Sequence, residues 1–86
     1  MQIWKYTLEV ERGRRVVMPR GAVPLSFQNQ KGLPVLWAMV DPDAPKVERE
    51  FSVVGTGHDV PSGVGAFVGT AQFGSLVWHL FDGGEV

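Results

Sequence analysis

Two histidines, His58 and His79, and the carboxylates Asp41, Asp43, Asp59 and Asp82 are the residues with which this 86-residue chain would have to perform chemistry. A protein metal site needs three or four ligands converging on one point. No HxH, HxxxH or HExxH spacing brings these histidines together, and the chain has no cysteine to add a thiolate. Nucleophilic catalysis would require Ser52, Ser62 or Ser75 to be activated by a histidine that an acid holds in place. None of these serines sits in a GxSxG elbow. Asp41 and Asp43 come nearest to an acid–base pair, but they lie in Asp41-Pro42-Asp43-Ala44-Pro45. Aspartates in that setting accept hydrogen bonds from turn amides. The expectation is a non-enzymatic protein with no catalytic residue, no resident metal and no cofactor.

Binding has better candidates. Gly55-Thr56-Gly57-His58 is a glycine-rich strand exit whose amides can form a nest for a small anion. It lacks the lysine of a P-loop, and no helix follows to aim its amides. Arg12, Arg14 and Arg15 form a guanidinium cluster suited to phosphate or to an acidic protein surface. Three tryptophans, Trp4, Trp37 and Trp78, are many for so small an interior. At least one is expected at the surface, where tryptophan anchors interfaces, and Trp78 is assigned that role. The candidate contact residues are therefore Arg12, Arg14, Arg15, Gly55, Thr56, Gly57, His58 and Trp78.

Composition narrows the setting. Residues 1–31 carry six basic against two acidic side chains, whereas residues 32–86 carry two basic against seven acidic. The near-zero total argues against nucleic acid as the main ligand, which would favour a net basic domain. No apolar run approaches the ~20 residues that span a bilayer, and the start lacks the basic and apolar regions of a signal peptide. A soluble cytoplasmic protein is expected. A chain of this length makes one domain, residues 1–86.

The elements that must position these residues read as strands. Trp4, Tyr6, Leu8 and Val10 alternate with Lys5, Thr7 and Glu9, with Ile3 the lone apolar residue on the polar side. Glu11-Arg12-Gly13-Arg14 then suits a hairpin turn, with Arg15–Pro19 as the returning strand. Val23, Leu25 and Phe27 form one face of a third strand. Val35–Val40, apolar at consecutive positions, is expected to be a central strand covered on both sides, with Trp37 at the centre of the core. Val47, Arg49, Phe51 and Val53 alternate with Glu48, Glu50 and Ser52. Ala66–Phe73 and Leu76–Phe81 form a hairpin turning at Gly74-Ser75. About seven short strands predict an all-β fold, a small antiparallel sandwich or barrel. The third strand and the 47–54 strand are expected to offer open edges, and a homo-oligomer, most simply a two-fold dimer, would cover them.

Ile3-Trp4-Lys5-Tyr6, the stretch Leu36-Trp37-Ala38-Met39-Val40-Asp41-Pro42-Asp43-Ala44-Pro45, Gly55-Thr56-Gly57-His58 and Leu76-Val77-Trp78-His79-Leu80-Phe81 together resemble a family of short, functionally uncharacterised bacteriophage and prophage proteins. The resemblance spans nearly the whole chain in the same order. It implies no activity, cofactor or catalytic residue. It does imply a setting, a phage accessory protein in the bacterial cytoplasm that binds and modulates a host protein, with a counter-defence role among the options. A sponge that sequesters a nucleotide signal, using the arginines and the 55–58 loop, and a minor virion component are the alternatives.

Overall fold

The computed structural model describes residues 1–10 and 14–86. Seven strands form in order: β1 (Gln2–Thr7), β2 (Arg14–Pro19), β3 (Val23–Gln30), β4 (Leu33–Val40), β5 (Lys46–Gly55), β6 (Ala66–Phe73) and β7 (Leu76–Glu85). They make two antiparallel sheets, one ordered β1-β4-β3 and the other β2-β5-β7-β6. The sheets face each other as a β-sandwich. From the first sheet Phe27, Leu36, Ala38 and Val40 are buried; from the second, Met18, Phe51, Ala71 and Leu80 meet them. Trp4 and Tyr6 pack against this core from β1, each half-buried.

The turns follow their residue chemistry. Lys31 and Gly32 both take positive φ, 53° and 84°, as a two-residue type I′ hairpin between β3 and β4 requires. Gly74, at φ 62°, takes the first central position of the β6–β7 turn. Asp41 caps its own loop: its Oδ1 accepts from the Asp43 amide at 3.0 Å and its carbonyl from the Ala44 amide at 3.1 Å. This is the turn-forming role that the proline-flanked aspartates predict.

Several expectations are corrected. β1 and β2 are not a hairpin: β1 pairs with β4 and β2 with β5, so the chain crosses from one sheet to the other between them. The expected turn at Glu11, Arg12 and Gly13 lies outside the described residues. Val23, Leu25 and Phe27 do not share a face, because the register shifts between Pro24 and Ser26. That bulge buries Phe27 and leaves Val23 and Leu25 exposed. β4 is central in its sheet, and Leu36, Ala38 and Val40 are fully buried. Trp37, however, points to the outer face, half-buried, with the Lys5 ammonium 5.9 Å from its ring centroid. β5 offers no open edge, since β2 and β7 flank it.

One charged pair lies inside the sandwich. Arg49 shares the inward side of β5 with Val47, Phe51 and Val53, and an arginine there needs a counter-charge. Asp82 supplies it through Nε–Oδ1 at 3.1 Å and Nη2–Oδ2 at 2.6 Å. Arg49 Nη1 also donates to the Ala22 carbonyl, and the Gly84 amide donates to Asp82 Oδ1 at 2.9 Å. The pair pins β5, β7 and the β2–β3 connection together.

Candidate functional site

The outer face of the four-stranded sheet carries a concave surface at the end of β5. β5 ends at Gly55, and residues 55–58 turn back. The His58 amide donates to the Gly55 carbonyl at 3.1 Å, and Gly57 takes φ 88°. A positive φ at the third position of a four-residue turn is the type II geometry that glycine allows. The Thr56 amide continues the ladder to β7, donating to the Val77 carbonyl at 3.0 Å. The His58 ring folds back over Gly55, so that a Cβ on Gly55 would lie 3.0 Å from His58 Nδ1. The glycine at 55 is thus the seat of the His58 ring.

His79, on β7, is held from both sides. Its Nε2 lies 2.8 Å from Thr56 Oγ1 and its Nδ1 2.8 Å from Thr70 Oγ1. Thr56 Oγ1 is also 3.2 Å from the Val77 carbonyl, which can only accept. The Thr56 hydroxyl therefore donates to that carbonyl and accepts from His79 Nε2–H, leaving Nδ1 to accept from Thr70. With both nitrogens engaged, His79 is a brace joining β6, β7 and the 55–58 turn.

Around this brace lies an open cleft of about 320 Å³, lined chiefly by Val54, His58, Val60, Phe67, His79 and Phe81. Phe67 and Phe81 meet edge to face with centroids 5.7 Å apart. Phe67 remains 60% exposed at the lip, and Val60 56%. Behind the turn a second hollow of about 300 Å³ is bounded by Gly55, Thr56, His58, Ser75 and Trp78. Trp78 itself is half-buried, its ring 4.9 Å from Phe73. Among the described residues no three His, Cys, Asp or Glu side chains group as a metal site would need.

The chain belongs to the family described as Domain of unknown function (DUF7352). The family model matches residues 1–85. No curated protein and no solved structure matches the chain.

In this DUF7352 domain, the candidates Gly55, Thr56, Gly57 and His58 come together in one turn at the cleft, whereas Trp78, expected at the surface, packs inward against the core beside Phe73 and borders only the second hollow. Arg14 and Arg15 do not join them. Arg12 lies outside the described residues. Arg14 is not on an exposed hairpin tip: it pairs with Glu9 at 3.5 Å and its Nε is buried. Arg15 is exposed opposite Glu50, four residues along β5 from Val54, about 13 Å at strand spacing. The cleft also contains residues that the sequence reading did not assign: Val60, Phe67, His79 and Phe81. For Phe81 the signal was an aromatic residue on the outward face of β7, next to the inward Leu80.

No helix among the described residues is long and apolar enough to cross a membrane.

Proposed function

We propose that this domain is a phage-type accessory protein that binds a bacterial host protein through the cleft beside His58 and His79, and modulates it without turnover. One observation carries the reading. An aromatic side chain, Phe67, stands 60% exposed at the lip of an apolar cleft whose walls are fixed by a threonine–histidine–threonine brace. A cleft of this size falls at the small end of ligand pockets and suits one apolar or aromatic anchor from a partner surface. The resemblance to phage and prophage proteins supplies the setting, the bacterial cytoplasm. A nucleotide sponge draws less support, because Arg14 and Arg15 do not converge on the 55–58 turn.

The test is quantitative affinity capture from bacterial lysate with the wild type, Phe67→Asp, and Leu33→Asp as an exposed control on the other sheet, followed by reconstitution from purified components. The proposal expects one host protein at fixed stoichiometry with wild type and Leu33→Asp, and a loss of at least about tenfold in affinity with Phe67→Asp. Binding of equal strength in all three would remove the cleft from the account.

A further inference from the structure

We infer that β1 is a self-association edge, through which two copies pair antiparallel about a two-fold axis to make a continuous six-stranded sheet. The inference is independent of the cleft, which lies on the other sheet.

The argument begins with the edges. A sheet edge left open presents unpaired amides and carbonyls, and natural proteins blunt such edges with proline, charge, bulges or covering segments. β2 is blunted by Arg14, Arg15 and the terminal Pro19. β3 carries Pro24 and a bulge, and β6 a bulge between Phe67 and Gly69. These two also cover one another: a Cβ on Gly69 would lie 3.3 Å from Phe27 Cβ, and Asn29 Nδ2 donates to the Gln72 carbonyl at 2.9 Å. β1 and β2 make no comparable approach on the other side. Among the described strands, β1 alone is unbroken, uncovered and free of proline, with Lys5 its only charge.

The hydrogen-bond phase identifies the free groups. The Leu8 amide donates to the Pro34 carbonyl at 2.9 Å, which continues the register of Thr7 with Val35 and Tyr6 with Leu36. In an antiparallel ladder every second residue exchanges bonds with its partner. Gln2, Trp4, Tyr6 and Leu8 therefore face β4, and the amides and carbonyls of Ile3, Lys5 and Thr7 point at the open edge. Those odd positions must bond in any added strand.

The choice of a second copy rests on charge and register. A two-fold centred on Lys5 would set two ammonium groups directly opposite, which is unfavourable. A two-fold centred on Trp4 instead bonds Ile3 to Lys5 of the other copy and places the two Trp4 rings as a close non-hydrogen-bonded pair. Trp4 is half-exposed, held by its indole N–H to Gln2 Oε1 at 2.8 Å, so the contact buries aromatic surface that the monomer leaves wet. The strip is six residues long, about 20 Å, against the roughly 20–30 residues a side of a standard interface. The dimer is accordingly weak and concentration-dependent.

Sedimentation equilibrium from 1 µM to about 1 mM tests this, chosen to span weak self-association. Wild type should move from 9.4 kDa toward twice that mass. Lys5→Pro removes an outward amide without touching the β1–β4 bonds, and should stay monomeric with an unchanged circular dichroism spectrum. Ile3, 62% exposed, gives a second arm free of folding effects. Ile3→Glu faces Lys5 of the other copy and should tighten the dimer at least threefold, while Ile3→Lys should weaken it at least threefold. A wild type that remains monomeric throughout overturns the inference. So does a dimer indifferent to Lys5→Pro, or one in which both Ile3 variants shift the same way.

Discussion

Asp82→Asn keeps the shape of the Arg49 partner and the oxygen that accepts from the Gly84 amide, but removes the charge and turns the acceptor facing Arg49 Nη2 into an NH2 donor. Arg49 and Asp82 side chains are 13% and 11% exposed, so the arginine is left charged and uncompensated inside the sandwich. Breaking a buried pair in this way costs about 3–5 kcal/mol. A domain of this length has about 4–13 kcal/mol to lose, so the variant gives up a large part of its stability. For a chain of this size each kcal/mol shifts Tm by about 4–8 °C; thermal unfolding followed by tryptophan fluorescence should fall by at least about 12 °C. Replacing both members, Arg49→Met with Asp82→Leu, removes the stranded charge but orphans the Ala22 carbonyl and the Gly84 amide, each worth about 1–3 kcal/mol. The double variant should therefore lose about 2–6 kcal/mol, less than the sum of Arg49→Met and Asp82→Leu made singly, with a coupling of at least about 1.5 kcal/mol in that cycle. An Asp82→Asn Tm within about 4 °C of wild type, or strict additivity of the two changes, would refute the role given to the pair.

Trp37→Ala should cost about 1–2 kcal/mol in urea unfolding, below the 3–5 of a core tryptophan, because its ring is half-buried on the outer face. Leu80→Ala, at a fully buried position, should cost about 2–5 kcal/mol in the same assay. Gly65→Ala should fail to fold or lose at least about 3 kcal/mol, since its φ is +100° and a Cβ would meet the Asp82 carbonyl oxygen at 2.1 Å. Burial raises the Tyr6 phenol above its ordinary value near 10. Its contribution is complete below pH about 10 and is lost as pH rises through the folded-state value. Tyr6→Phe should flatten that alkaline decline, at little cost below it, because the hydroxyl is buried without a partner among the described residues.

The alternation of the strands was legible because a period of two records which side is buried. Trp4 and Tyr6, and Phe51 and Val53, turned inward as that pattern requires, whereas the unbroken apolar run of β4 did not show which side Leu36 and Ala38 would take. Sheet membership was not legible, because a turn sequence does not say whether the chain pairs with its neighbour or crosses to the other layer; β1 and β2 look like a hairpin and are not. The bulge at Pro24–Ser26 inverted one face for a similar reason, since one extra residue leaves the sequence pattern intact while moving Leu25 outward. For the site, Gly55 to His58 stood out by composition, but its partners did not. His79 and Phe67 reach it only through the β5–β7–β6 register. Arg49 on an apolar face was the readable sign of the buried pair; its partner Asp82 lies 33 residues away.

Native mass spectrometry of the tagged domain, isolated directly from a bacterial cell, tests the binding proposal most directly because it reports bound partners and retained small molecules together. The account predicts the mass of one host protein added at fixed stoichiometry, and its loss when Phe67→Asp is isolated in the same way. A nucleotide-sized adduct retained equally by wild type and Phe67→Asp, with no added protein, would contradict it.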